Sequence, residues 1–561
     1  MPGFQYPAVD TSEPLEPNAS TPKNPTALQK GNAALRAGQY AAAIRHYALG
    51  LLDQHNQPQP SQLSHHLAQN LLLARKRYRR QRQSSGQLQV AVACWSLSEN
   101  PAGRAHTLAS LYQDLAAHGE GGIHGVAIIG SLFARRGREL WAPIRDTDLP
   151  VHSILVEDDR QFMAQAINLV SSHPYDLIHL SKPRFPNILF GLLYKLLWDA
   201  RVLVDIDDDE LAFVHGEPLP TGAPPFQPPA DKAADPAGPP ASSPPPESTA
   251  APALEHWLRR YNGLPPWQDL PGCPWTELGM SLCHAFDGLS VANRALQRRH
   301  GGTIIRHARD PRQFRPCAER RARARVQWQI APAQRVVIFL GTPRRHKGLL
   351  ETAQALASLS QPNLLLLIAG RFPDSEQALR EALEAEQTRG RLTIRLLDDQ
   401  PFADIPDLLA AADLAVLLQD PDSPAARNQT PAKLSDALAM GLTVLAEPTP
   451  GLADLLEQDA FIPVTRDTLA ATLSATLATS PPEPQPRQPH PVFTRNLSLQ
   501  ANRQRLQTLL ADEFRRTKHR TDTRLAGHTS GPDCLEHLSA IHLLGPLPRT
   551  LVKAQSNPAR T

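Results

Sequence analysis

The chain has 561 residues, which at roughly 100–200 residues per domain calls for about three folding units rather than one core. Its 58 Lys and Arg against 55 Asp and Glu leave a net charge of +3, so no global field argues for a nucleic-acid partner. Five cysteines, Cys94, Cys273, Cys283, Cys317 and Cys534, show neither metal-ligand spacing nor a disulfide framework, and a reducing compartment fits them. The first residues lack a charged and then apolar leader, and no apolar run reaches the ~18 residues of a membrane span. The chain reads as cytoplasmic, with a peripheral place at the inner membrane face left open. Two basic runs, Arg75 to Arg80 and Arg320 to Arg325, read as solvated helix faces more than as phosphate or membrane patches.

Residues 1–24 read as a disordered start. Residues 25–83 are helical in pattern, and Gly31, Leu35, Gly38, Tyr40, Ala43, Ile44 and Tyr47 sit where a tetratricopeptide helix pair puts small and aromatic packing residues. One such unit is too short for a solenoid, so it is either a helical hairpin packed on the next domain or a site for a protein partner.

From Leu88 short apolar strands alternate with helices. Strands are expected at 88–95, 126–129, 177–180, 202–206, 288–292 and 303–306, with helices at 107–118, 160–171 and 187–198. Thirteen of the 55 prolines fall between Glu217 and Pro252, so residues 216–252 read as a disordered insertion. A second set follows, with strands at 336–340, 364–368, 392–397, 414–418 and 443–446. Its helices are expected at 349–359, 375–386, 405–411 and 432–440. Strand–helix alternation means parallel sheets covered on both faces, so two doubly wound α/β domains, 88–316 and 317–480, face each other across a cleft. Residues 481–520 read as a linker and return helix, and 521–561 as a loose tail.

The strongest chemical signal is Gly341-Thr342-Pro343-Arg344-Arg345-His346-Lys347-Gly348, a strand running into a glycine turn, a cationic loop and a helix. Glycine permits close backbone approach, a helix start favours an anion, and Arg344 and Lys347 neutralise it, which suits a diphosphate. Residues 428–441 add a second helix start, with Thr430 as N-cap and Pro431 as first helical residue. Asp436, one and a half turns in, is placed to accept from ribose hydroxyls, and Lys433 either joins the anion site or pairs with Asp436.

This arrangement resembles the donor domain of retaining GT-B glycosyltransferases of family four, the glycosyl transferases group 1 type. The residues that carry the resemblance are Gly341…Lys347-Gly348, Ala369-Gly370, Ala412-Asp413, Asp436 to Val444, and the upstream His307-Ala308-Arg309-Asp310. The resemblance implies two Rossmann-like domains, a nucleotide-diphosphate sugar as donor, a glycan or glycolipid as acceptor, and no cofactor or metal. It also implies retention at the anomeric carbon and a role in cell-surface polysaccharide or glycoconjugate synthesis. Arg344 and Lys347 would then hold the pyrophosphate and Asp436 the ribose. Asn428 stands where the family has the first glutamate of a pair, and Thr342 where it has an arginine. His179, at a strand end, would touch the reacting sugar or acceptor, Gly103 would let backbone approach the donor, and Lys182 and Arg184 would meet an anionic acceptor. The run Asp205 to Glu210 offers a different chemistry, a metal-dependent phosphatase, and the Asn428 departure a third, an inactive scaffold.

Overall fold

The computed structural model describes residues 25–53, 61–83, 86–98, 101–215, 269–283, 286–420, 423–479 and 487–511. The segments expected to be disordered at 1–24, 216–252 and 521–561, and the linker's start at 481–486, lie outside them.

Three helices, Ala27–Arg36, Tyr40–Asp53 and Gln62–Gln83, come first. Thr26 and Gln29 close a capping box at the first of them. A Cβ at Gly31 would lie 2.3 Å from Tyr47 Cε1, so glycine is what lets the first helix press on that ring. The helices share one apolar core with the lobe that follows. The run Arg75 to Arg80 helps to seat them. Arg75 Nη1 donates to the Leu196 carbonyl at 2.9 Å, Arg79 pairs with Asp199, and Tyr78 meets Trp198 at 5.1 Å between ring centroids. These contacts close the C-terminal end of the helix Phe185–Trp198, whose last carbonyls have no helical partner of their own.

The first lobe carries a seven-stranded sheet: β1 (Leu88–Cys94), β2 (Ile123–Phe133), β3 (Val151–Val156), β4 (Leu177–Ser181), β5 (Arg201–Ile206), β6 (Gly288–Val291) and β7 (Thr303–Ile304). Its order is β3-β2-β1-β4-β5-β6-β7, with every pair parallel. The second lobe repeats the plan with β8 (Arg335–Leu340), β9 (Leu364–Ala369), β10 (Thr393–Leu397), β11 (Leu414–Leu417), β12 (Thr443–Ala446) and β13 (Ile462–Pro463). There the order is β10-β9-β8-β11-β12-β13, again parallel throughout. The sequence reading has no strand at β3 or β13. β3 is a half-exposed edge strand and β13 only two residues long, so neither shows the continuous apolar run of a buried parallel strand.

Each sheet reverses its strand order once, between β1 and β4 and between β8 and β11. Chain leaving the two strands at such a point turns to opposite sides and opens a crevice at their carboxyl ends. The basic run Arg320 to Arg325 works inside the second lobe. Arg321 Nη1 donates to the carbonyls of Ala410 and Ala412 at 2.9 Å each, and Arg325 Nη1 donates to that of Ala411 at 3.0 Å. Together they cap the helix Ile405–Ala411, and Asp413 balances their charge. After a π-helical turn at Phe493–Leu497 the chain crosses back, and Leu499, Leu506, Leu509 and Leu510 join the first lobe's core around Leu108 and Leu111. Among the described residues, no helix is long and apolar enough to cross a membrane.

Candidate functional site

β8 ends at the second lobe's switch point, and the turn after it carries the site. Gly341 has φ +92°, a backbone region that favours glycine, and its N–H donates to the Ala369 carbonyl at 2.8 Å. Two ammonium groups converge on this turn. Lys347 Nζ donates to the Thr342 carbonyl at 2.8 Å, and Lys433 Nζ to the Leu340 carbonyl at 3.1 Å, while standing 4.4 Å from the Phe339 ring centroid. Arg344 is exposed beside them, and its side chain makes no hydrogen bond or ion pair among the described residues.

The cations here outnumber their counterions. Burial, and then Arg344, depress Lys347 to about 8, with Glu376 opposing. Lys433 is held well below the usual lysine range by burial and then by Lys347, against a weaker pull from Asp436. His346 is lowered by burial, then by Lys347 and Arg344. A group of cations that depress one another is a site in want of an anion. Lys433 sits on the helix Ala432–Ala439, and no side chain caps that helix, so its start lies against the same turn with its first amides free of side-chain acceptors.

Several expected roles change. Thr430 is not the N-cap: the helix begins after Pro431, and Thr430 Oγ1 donates to the Gly451 carbonyl at 3.0 Å while accepting from Asn293 Nδ2 at 3.1 Å. Asn428 also faces the other lobe. Its Nδ2 donates to Asp209 Oδ2 at 3.2 Å and its carbonyl accepts from Asn293 Nδ2 at 2.8 Å. Asp436 is buried against Arg309, whose Nε donates to its Oδ1, so it is turned from ribose to an interlobe ion pair. Burial raises the Asp436 carboxyl, with Arg309 opposing. Asn293 is the residue the sequence reading missed. Its Oδ1 caps the helix Arg294–His300, a legible Asn signal, but its reach across the lobes is not local information.

His179 is not at the cleft surface. It is fully buried on β4, with Nδ1 3.1 Å from Tyr112 Oη and Nε2 3.0 Å from Ser290 Oγ, so both ring nitrogens are engaged. Gly103 lies in the first turn of the helix Ala102–Ala117, where a Cβ would meet Trp141 at an ordinary 3.8 Å. Nothing there demands glycine. Lys182 and Arg184 are not free for an acceptor either, because they neutralise the acidic run. Lys182 Nζ lies 2.8 Å from Asp207 Oδ1, 2.8 Å from Asp208 Oδ2 and 2.9 Å from Glu210 Oε1, and Arg184 pairs with Glu210. These three carboxylates have the spacing of a metal-ligand set. The ammonium occupies their meeting point, so a divalent ion there must displace it. Asp205 is separately clamped by Arg104, at 2.7 and 2.8 Å, with both side chains buried.

Residues 320–483 match the family model described as glycosyl transferases group 1. The fold is similar to that of Anabaena Alr3699/HepE, solved in complex with UDP and glucose, at TM-score 0.50 and 14% identity, over 76% of this chain and 100% of that one. It is similar to a glycosyltransferase from Rickettsia africae as well, at TM-score 0.50 and 12% identity, over 76% of this chain and 99% of that one. No curated protein matches the sequence. The chain has the two-lobed GT-B fold, and its second lobe matches the glycosyl transferases group 1 model over residues 320–483.

Proposed function

We propose that this protein transfers a sugar from a nucleotide-diphosphate sugar to a glycan or glycolipid acceptor. The observation that carries the reading is the convergence of Lys347, Lys433 and Arg344 on the turn at the end of β8, with too few carboxylates to match them. A diphosphate supplies the missing charge. As the glycosidic bond to the donor breaks, negative charge grows on the departing nucleoside diphosphate, and preorganised cations stabilise it most at that moment. We further propose retention at the anomeric carbon, in line with the family resemblance, without a metal or other cofactor. The Lys182 ammonium among Asp207, Asp208 and Glu210 supports the metal-independent reading, since those carboxylates already hold a cation.

One observation favours a second reading, binding without turnover: Asn428 and Asp436, at the positions of the family's acidic pair, are tied to Asp209 and Arg309. Product formation from labelled nucleotide-sugars, with and without EDTA, decides between them. Turnover that survives EDTA supports the transferase, tight binding without product supports the second reading, and loss on chelation overturns the metal-independent chemistry.

A further inference from the structure

A cavity of about 340 Å³ opens between the lobes, away from the β8 turn. Arg294 and Arg306 reach it from the first lobe, Asp454 and Gln458 from the second, and Asn496 and Arg505 from the chain that crosses back. Three arginines thus line it against a single lining carboxylate. Arg294 already pairs with Glu457 at 3.1 Å, and Arg505 Nη2 donates to Asn496 Oδ1 at 2.6 Å. Arg306 is different. It is 3% exposed and pairs through Nη2 with Asp454 Oδ2, while its buried Nε and Nη1 have no acceptor among the described residues. Buried guanidinium donors are seldom left unmatched, because the loss of hydration is then uncompensated. Oδ1 of Asp454, also buried, has no donor. Burial and then Arg306 depress Arg505 to about 10, the mark of cations crowded around a shared space.

We propose that this cavity binds a phosphate group that keeps a hydrogen to donate, either hydrogen phosphate or a hydroxylated phosphate monoester, and that the bound group bridges the two lobes. The oxygens accept from Arg306 Nη1, with Arg505 adding charge, and the remaining P–OH or alcohol donates to Asp454 Oδ1. Sulfate offers the same charge and size without that hydrogen, so it meets the Asp454 carboxylate as a repulsive neighbour. The site stands apart from Arg344, Lys347 and Lys433 and does not rest on the reading of the donor turn.

Calorimetry on the full chain tests it, in the Arg344→Ala/Lys347→Ala/Lys433→Met background so that the donor turn takes no phosphate. Saturable binding of inorganic phosphate is expected, with sulfate at least about tenfold weaker, since a lost charge-assisted hydrogen bond is worth about that factor. Arg505→Gln, a half-buried position less prone to misfolding than Arg306, should weaken phosphate by about tenfold for the same reason. Glycerol phosphate separates the two sources: tighter binding than inorganic phosphate points to an ester, weaker binding to the free ion. Absence of saturable phosphate binding, or an Arg505→Gln chain that binds as before, overturns the site. Equal affinity for sulfate overturns the role of Asp454.

Discussion

Lys347 and Lys433 direct their ammonium groups to the two carbonyls that flank Gly341, at 2.8 and 3.1 Å. One comes from the loop after β8 and the other from a helix more than eighty residues later, yet they share one turn, and Lys347 helps to depress Lys433. Lys433 is the more costly of the two because it is half-buried with no ion-pair partner among the described residues. We expect Lys433→Met to raise the melting temperature of the free protein, since it removes a half-buried cation that no carboxylate pairs with among the described residues. The same change should weaken nucleotide-diphosphate binding by about tenfold to a hundredfold, the worth of a charge-assisted hydrogen bond. Lys347→Ala should weaken binding comparably with little change in stability. Differential scanning calorimetry and nucleotide titrations check both. A Lys433→Met protein that is less stable and binds normally would mark the lysine as structural.

The pH dependence follows from Lys347. Its folded-state value of about 8 lies below the ordinary 10.5, so between those limits the unfolded chain holds more protons and stability rises with pH. Binding runs the other way. A bound diphosphate raises the lysine again, so affinity is fully present below about 8 and declines as pH rises through that value, with proton uptake on binding. Titrations in buffers of different ionisation heat should show that uptake near pH 8, and Lys347→Arg should remove this lysine's share of it. Affinity that stays flat from pH 7 to 9.5 would exclude Lys347 from the contact.

Both lobes were legible in the sequence because parallel strands covered on two faces become unbroken apolar runs, as in Leu364-Leu365-Leu366-Leu367-Ile368-Ala369, all buried. The glycine turn and its cations were legible for the same local reason. What each polar residue faces was not. Arg104 and Asp205 lie 101 positions apart, and Asn293 and Asn428 lie 135 apart. His179 looked catalytic at a strand end, and only the packing of Tyr112 and Ser290 on either side makes it a core residue. Asp436 reads locally as a ribose ligand; the closure of one lobe on the other gives it Arg309 instead. Of the two basic runs, Arg75 and Arg79, and Arg321 and Arg325, reach helix C-termini elsewhere in the fold, a relation that helix periodicity cannot carry.

Lys182 holds φ +75° at the end of β4, a strained region for a residue with a side chain, and three carboxylates fix its ammonium. Removing that cation leaves Asp207, Asp208 and Glu210 buried against one another. Burial already pushes Asp207 up to about 7, with Lys182 opposing and Asp208 adding to it. We expect Lys182→Ala to cost roughly 3–5 kcal/mol, the usual penalty for breaking a buried ion pair by one partner. Because the vacated point has the carboxylate spacing of a metal site, millimolar Ca²⁺ or Mg²⁺ should restore part of the melting temperature in the variant and leave the parent unchanged. A parent protein that gains stability from either ion would show that the lysine is not the resident cation.

The lobes are held together by polar contacts rather than an apolar seam at this rim: Asn293 with Asn428 and Thr430, Asn428 with Asp209, Gln429 with Asp208, Arg309 with Asp436. Asn428→Asp keeps the shape of the side chain and replaces its donor with a charge, 3.2 Å from where Asp209 Oδ2 now accepts. Two carboxylates at that range repel, and the partly buried setting screens them little. The Arg299–Asp209 pair, at 2.5 Å, offsets only one of the two charges. The variant should therefore populate a more open arrangement, seen as a larger radius of gyration in small-angle scattering and as faster proteolysis between the lobes. Nucleotide binding to the β8 turn should persist, because Lys347 and Lys433 both belong to the second lobe. An unchanged radius of gyration would mean that the apolar return segment around Leu499 and Leu506, and not this polar rim, sets the angle between the lobes.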